Sequence, residues 1–218
     1  MTIELTAFEI VPDFAKGFVK DLRVRWALEE AGLAYTERLI GADEQASAAY
    51  RRRQPFAQVP VYRDDEAELF ESGAIVLHLA ERSEALSPTD PAGRARVKTW
   101  VCAALNSIDP FVANLVLVDL FYADAPWAPG FEVVAREQLE ERLRGLADWL
   151  GDKDYLEDRF TAGDLMMTTV LRDLIDRGPL ELFPTLDAYR RRCEARPAFQ
   201  RALNAQLAAF ERYEGAQA

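Results

Sequence analysis

The stretch AQVPVYRDDEAELFESGAIVLHLAER, residues 57–82, constrains the fold more than any other part of the chain. Pro60 has no N–H, so it fits the mouth of a strand and not its interior. VPVYRD (59–64) and AELFE (67–71) read as two strands around the acidic turn Asp64-Asp65-Glu66. Ser72 is a favourable N-cap, and the apolar run Ala74 to Ala80 behind it predicts a helix over 72–82. A hairpin followed at once by a helix brings a proline-marked strand start and a helix start close together. Two special backbone positions in one place suit the holding of a ligand.

The rest of the first 82 residues completes a small α/β unit. IELTAF (3–8) alternates apolar and polar, as a strand does. In RVRWALEEAG, Val24, Ala27, Leu28 and Ala31 recur at helical spacing, and Gly32 is placed to end the helix. AYTERLI (34–40) reads as a second strand, and 43–53 as a second helix. The order β-α-β-α-β-β-α describes a mixed four-stranded sheet with helices packed on it. SEALSPTDPAG, with two prolines, reads as a linker over 83–93.

Beyond residue 90 the strand pattern stops. Helices are expected over 94–122, 131–150, 161–177, 185–196 and 198–213, an all-helical domain over 94–218. Thr161 and Asp164 have the form of a capping box, with Phe160 and Leu165 as its hydrophobic staple. Met167, Val170, Leu171 and Leu174 follow as a buried stripe.

Composition narrows the chemistry. The 218 residues carry a net charge of −11, which argues against nucleic-acid or anionic-membrane partners, since both need a positive surface. The start has no basic segment followed by an apolar core, so no signal peptide is expected. The most apolar run, FVANLVLVDLFY, is shorter than the roughly 20 residues that a spanning helix needs, so the protein is expected to be soluble. Cys102 and Cys193 stand in no metal or redox spacing and read as reduced, structural thiols. The one histidine, His78, sits among apolar residues as a half-buried side chain, so no multi-histidine metal site is expected.

RVRWALEEAGLAY, QPFAQVP, LFESGAIVLHLAER and FTAGDLMM together resemble, in order and spacing, the cytosolic glutathione S-transferase family, here in a bacterial form whose class is left open. The resemblance implies a thioredoxin-like domain over 1–82 and a helical domain that contributes the second-substrate pocket. It implies a cis bond before Pro60 that turns the main chain of Val59 toward the cysteinyl amide of glutathione. Ser72 and the N–H groups behind it would take the γ-glutamyl carboxylate, Glu71 the γ-glutamyl ammonium, and Gln58 the glycyl end. Arg51, Arg52 and Arg53 would add positive potential nearby. Taken singly, Ser72 serves equally as an N-cap, Glu71 as a surface charge and Pro60 as a turn; the set carries the reading.

One part of the family pattern is missing. Most members place a Tyr, Ser or Cys just after the first strand to stabilise the glutathione thiolate, and residues 7–34 contain none of these. The candidates that remain are the N–H groups of Gly17 and Phe18 at the head of the first helix, and the charge of Lys16 or Lys20. Asn106 is a further candidate, toward the thiol or the second substrate. Phe8, Pro12, Phe18, Phe111, Leu115 and Phe121 or Tyr122 would line an apolar pocket.

The function so implied is a cytoplasmic, homodimeric enzyme transferring glutathione to a small apolar electrophile, without metal. A catalytically silent binding module, like the bacterial stringent starvation proteins, is the alternative. A glutathione-dependent peroxidase or lyase shares the cradle and differs in the electrophile.

Overall fold

The computed structural model describes residues 2–217, which form two compact units: residues 2–88 with 196–217, and residues 89–195. In the first, strand β1 (Glu4–Phe8) lies between β2 (Thr36–Ile40), which runs parallel to it, and β3 (Val61–Arg63), which runs antiparallel. Strand β4 (Glu68–Phe70) pairs antiparallel with β3, giving the order β2-β1-β3-β4. Helix α1 (Asp21–Ala31) makes the crossover that the parallel β1–β2 pair requires, and it ends at Gly32 with φ +65°. The mixed four-stranded sheet is the one expected from the sequence.

Two local expectations change. The helix expected over 43–53 is two, α2 (Ala42–Ala46) and α3 (Ala48–Arg53), because Ser47 is extended and its hydroxyl accepts from Tyr50 N–H, capping α3. Ser72 is not an N-cap: helix α4 (Ser72–Ala80) begins at it, with Glu71 as the preceding cap residue. The acidic turn between β3 and β4 closes on Asp64, whose Oδ1 accepts from the N–H groups of Glu66 and Ala67 at 2.8 and 2.7 Å. Its Oδ2 accepts from Tyr62 Oη and Arg82, and lies 3.2 Å from the Nε2 of half-buried His78, binding the hairpin to α4.

Helix α1 has eight consecutive buried residues, Asp21 to Leu28, so its charges must be paired. Arg25 bonds Asp21 at 2.6 Å and also Glu37. The chain's last helix is why the units divide differently from the 1–82 and 94–218 expected. Arg196 grips Glu30 with two bonds at 2.6 and 2.8 Å, Gln206 donates to Asp21 at 2.7 Å, and Arg201 pairs with Glu29. Phe199 meets Trp26 edge-on at 4.8 Å, and together these contacts join the segment after residue 195 to α1.

The second unit is helical: α5 (Pro91–Ala103), α6 (Asp109–Leu117), α7 (Ala128–Leu150), α8 (Ala162–Arg172) and α9 (Pro184–Glu194). The last helix of the first unit is α10 (Pro197–Gln217). Single π-helical turns join α5 to α6 and follow α6, so Pro91–Tyr122 is one helical run, long and apolar enough by composition to cross a membrane. That length exceeds the short apolar run read from sequence. Val97, Val101, Ala104, Ile108, Val112, Leu115 and Val118 are nonetheless buried at helical spacing, which is the pattern of a core-facing helix. The capping box of α8 is formed as expected: Thr161 Oγ1 accepts from Gly163 N–H, and Asp164 accepts from Thr161 N–H. Of the two thiols, Cys193 is buried and Cys102 is exposed.

Candidate functional site

The β3–β4 register explains why Pro60 and Glu71 are neighbours. Val61 pairs with Phe70, so one residue beyond the ladder the chain reaches Pro60 on one side and Glu71 on the other. The Val59–Pro60 bond is cis. Among the described residues, no hydrogen bond engages the N–H or C=O of Val59, which leaves this extended segment able to pair with a peptide.

The loop leading to it is held from beneath. Tyr50 Oη donates to the carbonyl of Gln58 at 2.7 Å, Gln45 Nε2 donates to the carbonyl of Ala57 at 2.8 Å, and buried Gln54 accepts from Phe56 N–H at 2.7 Å. Burial raises the Tyr50 hydroxyl to a pKa of about 12, so it stays a donor at neutral pH. The side chain of Val59 packs with Ile40, Tyr50 and Val61, and Phe8 and Val19 border this cluster. Gln58 itself is exposed.

The helix start beside it is left open. Glu71 adopts φ 70°, ψ 111°, a conformation that side-chain-bearing residues rarely hold, and no side chain caps α4. The first helical hydrogen bond there is from Ile75 N–H to the carbonyl of Glu71. The N–H groups of Ser72, Gly73 and Ala74 therefore have no intrahelical acceptor, and the helix dipole favours an anion in front of them. The hydroxyl of Ser72, 7% exposed, accepts from Nη1 of Arg23 at 3.3 Å. Glu71 is exposed beside it and offers a carboxylate to a cation. One edge of the first unit thus presents an open strand, an open helix terminus, a buried hydroxyl and a free carboxylate within a few residues of one register position.

The candidates for stabilising a thiolate are placed differently from the expectation. Helix α1 begins at Asp21, so Gly17 and Phe18 lie in the turn before it and not at its head. Phe18 N–H donates to the carbonyl of Ala15 at 3.0 Å, so that donor is already engaged. Gly17 is buried with φ +84°, a turn conformation that suits glycine, and the ammonium of Lys16 lies 2.8 Å from Asp13. Asn106 is exposed on the π-turn after α5 in the helical unit. Of the residues expected around the apolar pocket, Leu115 is fully buried core, and Phe111 lies under the Arg142 guanidinium at 4.8 Å. The helical unit holds a cavity of about 440 Å³ bordered by Trp100, Ile108, Leu146, Trp149 and Met167, of which the sequence reading named only Met167, and as a buried stripe residue.

The arginine cluster is also reassigned. Arg53 is paired with Glu68 at 3.0 Å and Glu4 at 3.3 Å, and Arg51 and Arg52 are exposed on α3. A cation that does reach the start of α4 is Arg23, which sequence reasoning missed. Its one signal was chemical: a guanidinium on a helix whose neighbouring positions are all apolar or paired needs a polar partner.

Comparison with known proteins agrees with this architecture. The model of the glutathione S-transferase N-terminal domain matches residues 22–88. The class-mu 26 kDa isozyme 51 glutathione S-transferase of Fasciola hepatica is 30% identical over 183 residues, which span 80% of this chain and 78% of that protein. Glutathione S-transferase F9 of Arabidopsis thaliana is 28% identical over 166 residues, 72% of this chain and 74% of the relative. The solved theta class glutathione S-transferase of Xanthomonas axonopodis pv. citri, with glutathione bound, superposes with a TM-score of 0.77 at 28% identity, covering 92% of this chain and 96% of that one. A glutathione transferase of Burkholderia graminis, with two glutathione molecules bound per subunit, shares the fold with a TM-score of 0.81 at 23% identity, over 93% and 88% of the two chains. On its sequence, its fold and these relatives together, the chain belongs to the glutathione S-transferase family.

Proposed function

We propose that the protein is a cytoplasmic, homodimeric glutathione transferase that binds glutathione along Gln58, Val59, Pro60, Glu71 and Ser72. It joins the thiolate to a small apolar electrophile and uses no metal. The observation that carries this reading is the uncapped start of α4 beside the unpaired main chain of Val59. A tripeptide with an α-carboxylate and an α-ammonium at one end complements that edge: strand-like pairing at Val59, carboxylate at the Ser72 N–H groups, ammonium at Glu71. Relatives solved with glutathione bound support the same ligand. Phe8 and Val19, which border the Val59 cluster, support an apolar electrophile near the thiol. In the reaction the thiolate sulfur attacks an electrophilic carbon, a C–S bond forms, and a leaving group departs with its electron pair.

A thiol has a pKa of about 8.5. Holding it two units lower requires about 2.7 kcal/mol of preferential stabilisation of the anion. In this reading the turn Lys16–Gly17–Phe18 with Lys20 supplies it, by charge and by the approach that Gly17 permits. A second reading, a glutathione-binding module without transfer activity, is favoured by the engagement of Phe18 N–H with Ala15 and of Lys16 with Asp13. The ultraviolet absorbance of the thiolate in bound glutathione, followed against pH, separates the two. A bound thiol that titrates below its free value, with thioether formed from an aryl halide, is the transferase result. An unshifted thiol and no thioether is the binding-module result. Loss of the shift in Lys16→Ala or Lys20→Ala identifies the cation.

A further inference from the structure

We propose that Arg23 is a positioning residue of the carboxylate end of the cradle: it orients the Ser72 hydroxyl so that its proton points at an incoming carboxylate. This inference rests on the glutathione reading above. A serine hydroxyl has one proton to donate and two lone pairs, whereas a guanidinium only donates. With Nη1 of Arg23 at 3.3 Å from Ser72 Oγ, one lone pair is occupied, so the hydroxyl proton is directed elsewhere. Ser72 does not cap its own helix, so the hydroxyl is not turned back toward the α4 backbone, and Glu71 carries no cap bond in its place. The proton and the uncapped N–H groups of Ser72, Gly73 and Ala74 belong to one helix terminus, and they form a donor set that fits two carboxylate oxygens.

The guanidinium also adds charge where a surface lysine would add little. Arg23 is 3% exposed and Ser72 7%, so the pair is shielded from water and from salt. The contact spans 49 residues, from α1 to α4, so it also fixes the helix that bears the terminus against the helix before it. Recognition of the carboxylate is thereby built from a dipole, a hydroxyl and a buried cation. A neutral amide at the same position would gain far less from any of them.

The test compares glutathione with its analogue amidated at the γ-glutamyl α-carboxyl, by calorimetric titration. The wild-type protein is expected to prefer the carboxylate by about 30-fold or more, the range of a buried charge-assisted hydrogen bond set. Arg23→Gln is expected to weaken glutathione by about 10-fold and to leave the amide analogue nearly unchanged, which a merely structural role would not do. Arg23→Lys, which keeps the charge and is the less disruptive variant, is expected to recover part of that preference. In a Ser72→Ala background the effect of Arg23→Lys should vanish, because the coupling runs through the hydroxyl. Equal weakening of both ligands by Arg23→Gln, or an undiminished Arg23→Lys effect without the hydroxyl, overturns the role of Arg23 and leaves glutathione binding standing. Failure of the wild-type protein to bind glutathione at millimolar concentration overturns the glutathione reading, and this inference with it.

Discussion

Two helix termini in this molecule have opposite designs. At the start of α8, Asp164 is fully buried and accepts from Leu156 N–H, Thr161 N–H, Thr161 Oγ1 and Tyr189 Oη at 2.8 to 3.1 Å, while Thr161 covers Gly163 N–H. At the start of α4 no side chain caps the helix, and the residue that should do so, Glu71, is held at φ 70° with its carboxylate exposed. The closed terminus satisfies its donors internally and ties a loop and a second helix to α8. The open one leaves donors unmatched and keeps a rarely populated backbone conformation, both of which cost stability. On the proposed function, the helix end that is costly to the fold and faces an unpaired strand is a binding element, and the closed one is a folding element.

That contrast can be broken most forcefully at the closed end. Asp164→Ala leaves four donors without their shared acceptor, and it is expected to lower stability by about 3–5 kcal/mol. Denaturant unfolding reads this directly, and glutathione affinity of the folded fraction should not change. An equal loss of affinity would mean that the two termini are not separate devices.

The next effect lies in the hairpin that leads to α4. Burial opposes the charge of Asp64, but two backbone N–H groups, Tyr62, His78 and Arg82 outweigh it and hold its carboxyl well below the usual carboxylate range. A carboxylate whose folded pKa is depressed stabilises the protein above its unfolded pKa and loses that contribution as pH falls through the folded value. Asp64→Asn is therefore expected to cost about 2 kcal/mol at neutral pH. The gap to wild type should narrow steadily below about pH 4, where the unfolded-state carboxylate begins to protonate. A gap independent of pH would remove the charge from the explanation.

The smallest expected effect tests the open terminus itself. Glu71→Gly relieves the positive φ and should raise stability by about 0.5–1 kcal/mol. On the proposed function it also removes the partner of the ligand's ammonium, so glutathione should bind about 10-fold more weakly while the melting temperature rises. A variant that loses both stability and affinity would show that Glu71 supports the fold, and the contrast with Thr161 would disappear.

Much of this was legible in the sequence because its signals are local. Gly32 ends α1 in the left-handed region, Thr161 and Asp164 close their box three residues apart, and Pro60 precedes β3, since each depends on a few neighbouring residues. The proposed cradle rests on signals of the same kind, QVP and ESGAI at hairpin spacing. What escaped depends on contacts between distant segments. The bond of Arg23 to Ser72, and the pairing of Arg196 and Gln206 with α1, join residues 49 to 185 apart. No periodicity encodes these. The expected helix 43–53 divides for a smaller reason: Ser47 has the form of a tolerated helix residue, but its hydroxyl accepts from Tyr50 N–H and caps α3. The turn before α1 escaped as well, because the engagement of Phe18 N–H by Ala15 depends on backbone direction and not on side-chain type.

The most direct measurement is a calorimetric titration of glutathione into the wild-type protein and into Ser72→Ala and Glu71→Ala. If the open end of α4 is the binding element, wild type binds at one site per chain along this edge. Each variant should then weaken binding by about 10-fold, or 1.4 kcal/mol, without a matching loss of stability. Unchanged affinity in both variants would contradict the cradle at Glu71 and Ser72.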